Sequence, residues 1–178
     1  MRILKFEQWL SESYLAGGRG PLYHSTRFEK LLGILNTNAL VANPDDNTIS
    51  CSRSLDFVFL NHPIIIVLDT EKIRSNHSIH SFDWMSSSIK GYRPKGDPAR
   101  TLEYENEDRI DGTIQPLDKY IIEILVYKRP FDLEGGVDWK WNMISAIRNY
   151  ANKHPHVKFK FYDKDVRKTE DIQLSAAA

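Results

Sequence analysis

The chain has 178 residues, of which 41% are hydrophobic and 27% are charged. These values are typical of soluble globular domains, so they exclude a disordered chain and predict one substantial core. The 24 basic residues balance the 24 acidic residues, which excludes the global positive field of a dedicated nucleic-acid-binding protein. The single cysteine, Cys51, excludes an internal disulfide and a cysteine zinc site. It predicts a buried core residue in the reducing cytoplasm.

The N-terminal residues predict a helix followed by a hinge. Residues 4–14 (LKFEQWLSESY) place apolar side chains at helical spacing, and the glycine-rich stretch at 16–20 then ends the helix. We expect residues 1–174 to form a single domain, with 1–20 as this helix and hinge. Residues 175–178 (SAAA) resemble residues left by cloning and are not expected to belong to the domain. No apolar run reaches the length of a membrane span, so we expect no membrane partner.

Several elements are predicted between the hinge and the middle of the chain. The helix among them begins at a capping box, since Thr26 precedes Glu29 by three residues. The run IIIVLD is continuously apolar, which indicates a central strand with both faces covered. A short helix is expected after Thr70. The other predicted elements are a short extended run at 21–24, the helix to about 36, a strand at 49–52 and the central strand at 64–69.

The second half of the chain predicts a long irregular stretch and then regular elements. Residues 75–101 are rich in Ser, His, Gly and Pro and are too long for a simple connection. They therefore form a functional loop or contain small elements. In the last predicted helix, Trp141, Ile144 and Ile147 share a face. The tally is α+β with strands of mixed direction. The elements are a turn at 111–112, a strand at 119–127, a helix at 137–153 and a strand at 157–162.

Three segments combine polar residues with strand patterns: LYHST at 22–26, ISCSRS at 49–54 and EYENEDRI at 103–110. Their order resembles the ADP-ribosyltransferase superfamily, whose members have a His or Arg on the first core strand, a Ser, Thr or Tyr on a later strand and a Glu near the end of the site. The LYHST opening is similar to the His-first branch, which includes small phage-encoded members. The resemblance implies an α+β fold with a split, mixed and antiparallel sheet, an N-terminal helix and flanking helices.

The resemblance implies NAD as the substrate and assigns the first segment to its binding. His24 is expected to bind a ribose hydroxyl, and the backbone of Ser25 is expected to hold the nicotinamide amide. A neutral imidazole suits this role because one ring nitrogen donates a hydrogen bond and the other accepts one. Thr26, the next residue, is a further cofactor-binding candidate.

The second segment supplies the other cofactor-binding candidates. Ser50 and Ser52 alternate onto one face of their strand, where their hydroxyls are expected to face the cofactor. Arg53 follows them, and a guanidinium matches the oxygens of a pyrophosphate. Members of the His-first branch usually have a tyrosine that stacks on nicotinamide. This sequence has no tyrosine at the serine strand, and Phe57 and Phe59, a few residues later, are the candidates for that role.

Glu107 is the predicted catalytic carboxylate, and Glu105 is its rival. Breaking the bond between nicotinamide and ribose builds positive charge on the sugar, which a nearby carboxylate stabilises. The pleat of a strand puts Glu103, Glu105 and Glu107 on one face, so their spacing does not choose among them. The sequence Glu-Asp-Arg-Ile resembles the end motif of the family, which favours Glu107. We expect Arg109 to pair with Asp108 or to orient Glu107.

These assignments predict an NAD-dependent mono-ADP-ribosyltransferase that modifies a host macromolecule in the cytoplasm. A protein side chain is the expected acceptor, and a nucleic-acid acceptor stays open. The similarity to phage-encoded members implies a factor for host takeover or for countering host defence. No metal is expected, because the two histidines of HSIH at 77–80 lack paired cysteines or a zinc-protease frame.

Two other functions fit parts of the sequence. The acids at 103–108 together with Asp69 would suit a divalent metal in a nuclease, although His24 and Ser50 would then have no role. A non-catalytic inhibitor would bind a host protein through the aromatic residues of the C-terminal half. These residues are Trp139, Trp141, Tyr150, Phe159, Phe161 and Tyr162.

Overall fold

The computed structural model describes residues 20–53, 55, 62–82, 107–128, 137–163 and 168–172. Apart from Gly20, the predicted N-terminal helix and hinge lie outside the described residues, as does the SAAA end. The described helices are α1 (Phe28–Thr37), α2 (Thr70–Arg74) and α3 (Val137–Lys153), with a 3₁₀ turn at Leu117–Lys119. The strands are β1 (Leu22–Thr26), β2 (Thr48–Ser52), β3 (Ile64–Leu68), β4 (Ile79–Phe82), β5 (Glu107–Asp111), β6 (Ile121–Tyr127), β7 (Lys158–Asp163) and β8 (Lys168–Asp171).

The described strands form one eight-stranded sheet in the order β4-β5-β2-β1-β3-β6-β7-β8. Neighbouring strands run antiparallel except β6 and β7, which are parallel and are joined through α3. A parallel pair needs such a crossover connection, whereas antiparallel pairs do not. The predicted α+β fold with a mixed sheet is therefore confirmed. The strand β4 is a small element within residues 75–101, which the sequence allowed without locating it, and β8 was not predicted.

The central strand β3 separates two apolar layers. Ile64, Ile66 and Leu68 belong to the larger core, while Ile65 and Val67 pack in a smaller cluster on the other face. All five residues of the strand are buried. The continuous apolar run is thus explained by cover on both faces, as the sequence predicted.

The helices pack against the larger core. In α1 the buried residues are Phe28 and the leucines at 31 and 35, spaced by three and four residues. The expected capping box is wrong: Thr26 is the last residue of β1, Arg27 is the N-cap, and no side chain caps the helix. In α3 the buried residues include Met143, Ile147 and Tyr150. Trp141, which had been expected on the packed face, is 53% exposed because the buried stripe lies to one side of it.

A closed polar network joins α1, the 3₁₀ turn and the end of α3. Asn38 ends α1 in the left-handed conformation with φ of 49°, and its Oδ1 accepts hydrogen bonds from the Tyr150 hydroxyl at 2.6 Å and the Asp118 amide at 3.0 Å. Its Nδ2 donates to Asp118 Oδ1 at 2.6 Å. Asp118 Oδ2 lies 3.2 Å from His154 Nδ1, and the Asp118 carbonyl accepts from His156 Nε2 at 2.9 Å. We call these five residues the Asn38 network.

Candidate active site

The sheet brings together the three polar segments of the sequence. In the antiparallel pairing, Tyr23 of β1 lies opposite Ser52 of β2, and Ser52 lies opposite Glu107 of β5. Tyr23 directly precedes His24 and Ser25. Segments that are far apart in sequence therefore lie on three adjacent strands, with their polar residues near one level of the sheet.

The pairing between β1 and β2 is narrow. β1 pairs with β3 along its whole length, from Leu22 to Thr26. With β2, its described pairing is a single pair of residues, Tyr23 opposite Ser52. On its other side, β2 pairs with β5 along its whole length, from Thr48 to Ser52. We call the line between β1 and β2 the seam. Two well-paired groups of strands meet there through a single described pair of residues.

His24 bridges the seam through its ring. The half-buried imidazole places Nδ1 2.8 Å from the main-chain oxygen of Ser50 on β2. A carbonyl oxygen only accepts hydrogen bonds, so Nδ1 carries the hydrogen and donates it. In the neutral ring, Nε2 then carries no hydrogen and is an acceptor. Among the described residues, none donates to Nε2.

The His24 ring is held in its neutral form. Burial lowers its pKa below the ordinary value of 6.5, the hydrogen bond to Ser50 opposes this shift, and the nearby His62 lowers the pKa further. Burial dominates because a charged imidazole loses its hydration inside the protein. At neutral pH the ring is therefore an oriented donor on one side and an acceptor on the other.

Ser25 and Thr26 complete β1 beside this histidine. The hydroxyl oxygen of Ser25 lies 3.3 Å from His62 Nδ1, and both residues are half-buried. Thr26 is buried, with 8% of its surface exposed, at the point where β1 ends and α1 begins. The backbone of Ser25 is thus fixed by β3 on one side, while its side chain contacts His62.

The serines of β2 lie on both sides of a core residue. Cys51 is 1% exposed within the larger core, which confirms its predicted packing role. Because side chains alternate along a strand, Ser50 and Ser52 face the opposite side of the sheet. Ser50 is half-buried, and Ser52 is 4% exposed. Each has a further interaction within the molecule.

Both candidate arginines form ion pairs. Arg53 pairs with Asp108, whose side chain is 4% exposed, while 23% of the Arg53 side chain is exposed. Arg109 pairs with Asp46 in the turn before β2 rather than with Asp108 as the sequence suggested. The physical reason is the strand pleat, which points Asp108 and Arg109 to opposite faces of β5. Asp108 had no role in the sequence prediction beyond that expected pair.

Other predicted residues fall at or beyond the edge of the described structure. Phe57, Phe59 and Glu105 lie outside the described residues. For Glu107, the structure describes the backbone, which begins β5 opposite Ser52. The catalytic assignment therefore remains a prediction that rests on the position of the strand.

Asp69, which the metal-nuclease alternative used, and the two histidines of HSIH have other partners. Asp69 is the N-cap of α2, and its carboxylate accepts hydrogen bonds from the amides of Glu71 and Lys72. His77 Nδ1 lies 3.2 Å from the Asp111 carbonyl, and His80 Nε2 lies 2.7 Å from an Asp111 carboxylate oxygen. Within the described ranges, no group of three or more His, Cys, Asp or Glu side chains is placed to hold a metal ion.

The aromatic residues considered for an inhibitor surface mostly belong to the core. Tyr150, Phe159 and Tyr162 are buried, and Phe161 packs against the larger core. Trp141 is the exception among those whose side chains are described.

Within the described part of the chain, no helix combines the length and apolar character that crossing a membrane requires.

Sequence reasoning missed His62. It had no assigned role, yet its ring contacts Ser25 and acts on His24. Its position next to the central strand was the available signal, because a residue that enters a strand beside β1 lies close to whatever β1 carries.

No protein-family model matches the sequence, and no curated protein matches it. Among solved structures, the chain is similar to Thermus sp. 2.9 DarT in complex with carba-NAD⁺, at 12% sequence identity and a TM-score of 0.48, over 84% of this chain and 98% of that chain. It is also similar to Thermus sp. 2.9 DarT in complex with NAD⁺, at 13% identity and a TM-score of 0.44, over 79% of this chain and 95% of that chain.

Proposed function

We propose that this chain is an NAD-dependent ADP-ribosyltransferase whose substrate binds at the seam. The observation that carries the proposal is the orientation of His24: Nδ1 donates to the Ser50 carbonyl at 2.8 Å, so Nε2 is left as an acceptor for a ligand hydroxyl. The narrow pairing of β1 and β2 supports a binding site beside that ring. In this proposal, Nε2 accepts a hydrogen bond from a ribose hydroxyl of NAD⁺.

The neighbouring residues are proposed to line the cofactor. The backbone of Ser25 holds the nicotinamide amide, and the hydroxyls of β2 contact the cofactor on the other side of the seam. Arg53 neutralises the pyrophosphate. To bind it, the guanidinium gives up part of its contact with Asp108. The further proposed cofactor-binding residues are Thr26, Ser50, Ser52 and Phe57.

Glu107 is proposed to stabilise the reacting sugar, with Glu105 as the alternative. The backbone of Glu107 lies two strands from that of Tyr23, which supports a carboxylate at the level of the seam. When the bond between the ribose carbon and nicotinamide breaks, its electron pair leaves with nicotinamide and the ribose becomes positively charged. A carboxylate placed beside it lowers the energy of that state.

Transfer is completed by a nucleophile on the acceptor. Its lone pair forms the new bond to the ribose carbon, and its proton passes to the carboxylate or to solvent. We propose that the acceptor is a side chain of a host-cell protein in the cytoplasm. We further propose that the enzyme is encoded by a phage and acts on its host. The balance of 24 basic and 24 acidic residues supports a protein acceptor over a nucleic acid, because it provides no global attraction for phosphates.

Labelled NAD⁺ incubated with the protein and a bacterial lysate tests this proposal. We expect label in macromolecules that is lost with protease and retained with nuclease. Glu107→Gln is expected to lower labelling at least about 100-fold, because one transition-state electrostatic contact is worth that much. Glu105→Gln is the matched control and is expected to label normally.

Each outcome of this experiment has a distinct meaning. Label lost with nuclease would replace the protein acceptor by a nucleic acid. Full labelling by the Glu107 variant would reject Glu107 as the catalytic carboxylate. Loss of labelling in the Glu105 variant alone would assign the catalytic role to Glu105. An absence of labelling, of NAD⁺ consumption and of NAD⁺ binding by the wild-type protein would reject the proposed function itself.

A further inference from the structure

His62 lies beside the site, immediately before an anchored residue of the chain. It lies immediately before Pro63 and two residues before β3. The carbonyl of Pro63 accepts a hydrogen bond from the Tyr127 amide at 2.8 Å, which ties this point of the chain to β6. The Nδ1 atom of His62 lies 3.3 Å from the Ser25 hydroxyl oxygen. The ring therefore sits at the end of β1 on an anchored segment.

The same ring acts on His24. Ser25 directly follows His24 on β1, and the positive charge of one imidazole opposes the protonation of the other. The groups that act on the His24 ring come from two elements: the Ser50 carbonyl on β2, and His62 from the segment before β3.

We infer that His62 is a positioning residue of the candidate site, which orients the Ser25 hydroxyl and acts on the neighbouring His24 ring. The inference rests on the proposed function, since it gives these two effects a purpose in NAD⁺ binding. Neither effect requires His62 to touch the substrate.

The two effects act on different parts of the proposed cofactor contact. Holding the Ser25 side chain restricts the residue whose backbone is proposed to bind the nicotinamide amide. Keeping His24 neutral preserves Nε2 as an acceptor, whereas protonation would turn that atom into a donor. A charged His24 would also repel the positive ribose that forms as nicotinamide leaves.

Three variants separate the hydrogen bond from the charge. His62→Ala removes both, and Ser25→Ala removes the hydrogen bond alone. His62→Gln keeps a hydrogen-bonding side chain without an ionisable group. His156→Gln is the matched control, because that histidine is 56% exposed and belongs to the Asn38 network.

The measurements are NAD⁺ affinity by calorimetry between pH 5 and pH 8 and the titration of the His24 ring by NMR. At pH 7.5 we expect His62→Ala and Ser25→Ala to weaken NAD⁺ binding by about tenfold each, the worth of one hydrogen bond. The double variant is expected to lose no more than either single variant. His62→Gln is expected to recover most of the affinity at this pH.

The pH profile supplies a result that a merely structural role would not produce. Removing the charge of His62 by either substitution raises the pKa of His24, so the acid loss of NAD⁺ binding moves to higher pH. The His24 NMR titration is expected to move in the same direction without NAD⁺. His156→Gln is expected to change neither measurement.

The failure of this inference differs from the failure of the proposed function. A wild-type protein that does not bind NAD⁺ overturns the proposed function and, with it, the purpose given to His62. A wild-type protein that binds NAD⁺ overturns the inference alone if His62→Gln and His62→Ala leave both its affinity and the His24 titration unchanged. The glutamine variant keeps the test valid if the alanine variant does not fold.

Discussion

The seam and the Asn38 network are both polar, half-buried and built from histidine and its partners, but they differ in how completely their hydrogen bonds are used. In the network, both side-chain atoms of Asn38 are paired, and Asp118 binds through its carboxylate, amide and carbonyl. At the seam, the ring of His24 uses one nitrogen and leaves the other as an acceptor toward which no described residue donates.

This difference separates a structural cluster from a binding site. A network whose members satisfy one another gains stability and has little left to offer a ligand. A fixed ring with an available acceptor costs some stability unless a ligand or water completes it. Substitutions in the Asn38 network should therefore affect folding alone, whereas substitution of His24 should act mainly on NAD⁺ affinity.

The largest effect on folding is expected at the edge of the seam, where Arg53 pairs with Asp108. Arg53→Ala leaves a carboxylate that is 4% exposed without its counter-charge, which costs about 3–5 kcal/mol of unfolding free energy. Chemical denaturation measures the loss. The double variant Arg53→Ala with Asp108→Ala should lose less than the sum of the two single variants.

Arg53→Lys distinguishes the ion pair from the proposed pyrophosphate contact. Lysine keeps the charge but not the bidentate fork, so it should restore part of the stability while leaving NAD⁺ affinity low. A denaturation midpoint of Arg53→Ala equal to that of the wild type would show that the pair contributes nothing.

The Asn38 network should give the next largest effect, and only on folding. Asn38→Ala removes several hydrogen bonds and places alanine at φ of 49°, which together cost about 2–4 kcal/mol. Asn38→Gly is the matched control, because glycine keeps the left-handed backbone at little cost and isolates the loss of the hydrogen bonds. NAD⁺ affinity should be unchanged in both variants, and a tenfold loss would contradict the division between the regions.

At the seam, His24→Ala should show the opposite pattern. We expect NAD⁺ affinity to fall at least about tenfold, while the unfolding free energy changes by about 1 kcal/mol, the value of the bond to the Ser50 carbonyl. Calorimetry and denaturation of the same preparation measure the two quantities. His154→Ala, in the Asn38 network, should lower the unfolding free energy and leave NAD⁺ affinity unchanged. Equal effects of the two substitutions on both quantities would contradict the difference between the two regions.

The smallest effect is a difference in acid stability. Burial alone raises the pKa of Asp118, but the Asn38 hydrogen bond and the neighbouring His154 and His156 outweigh it, so the pKa is lowered from 3.8. A lowered folded pKa contributes stability above the unfolded value that is lost as the pH falls through the folded value. Asp118→Asn should therefore flatten the decline of stability below about pH 4 by less than about 1 kcal/mol. A denaturation series against pH checks it, and an unchanged slope would oppose the role of this carboxylate.

Sequence patterns predicted the elements whose periodicity reflects burial. The apolar run of β3, the strand at β6 and the helix from Val137 to Lys153 all follow from side chains that must leave water. The edge strands β4 and β8 were missed because an edge strand needs little apolar surface; β8 is exposed along its length. The capping box failed because β1 extends through Thr26 and uses that residue for the sheet.

For the candidate site, the order of the segments in the sequence was informative, but the sequence did not indicate which side chains pair with each other. The segments around His24, Ser52 and Glu107, which the sequence linked by their order, lie on three adjacent strands. The partner of each charged residue depends on the register, because a shift of one residue turns a side chain to the other face. That is why the pairs of Arg53 and Arg109, and the contact between His62 and Ser25, were found only in the folded chain.

The most direct test of the central claim is the ¹⁵N NMR spectrum of the His24 ring, recorded with and without NAD⁺ at pH 7.5. The account predicts a neutral ring with its proton on Nδ1, and a change in the Nε2 resonance toward that of a hydrogen-bonded acceptor when NAD⁺ is added. A ring protonated on Nε2, or an Nε2 resonance that NAD⁺ leaves unmoved at saturating concentration, would contradict it.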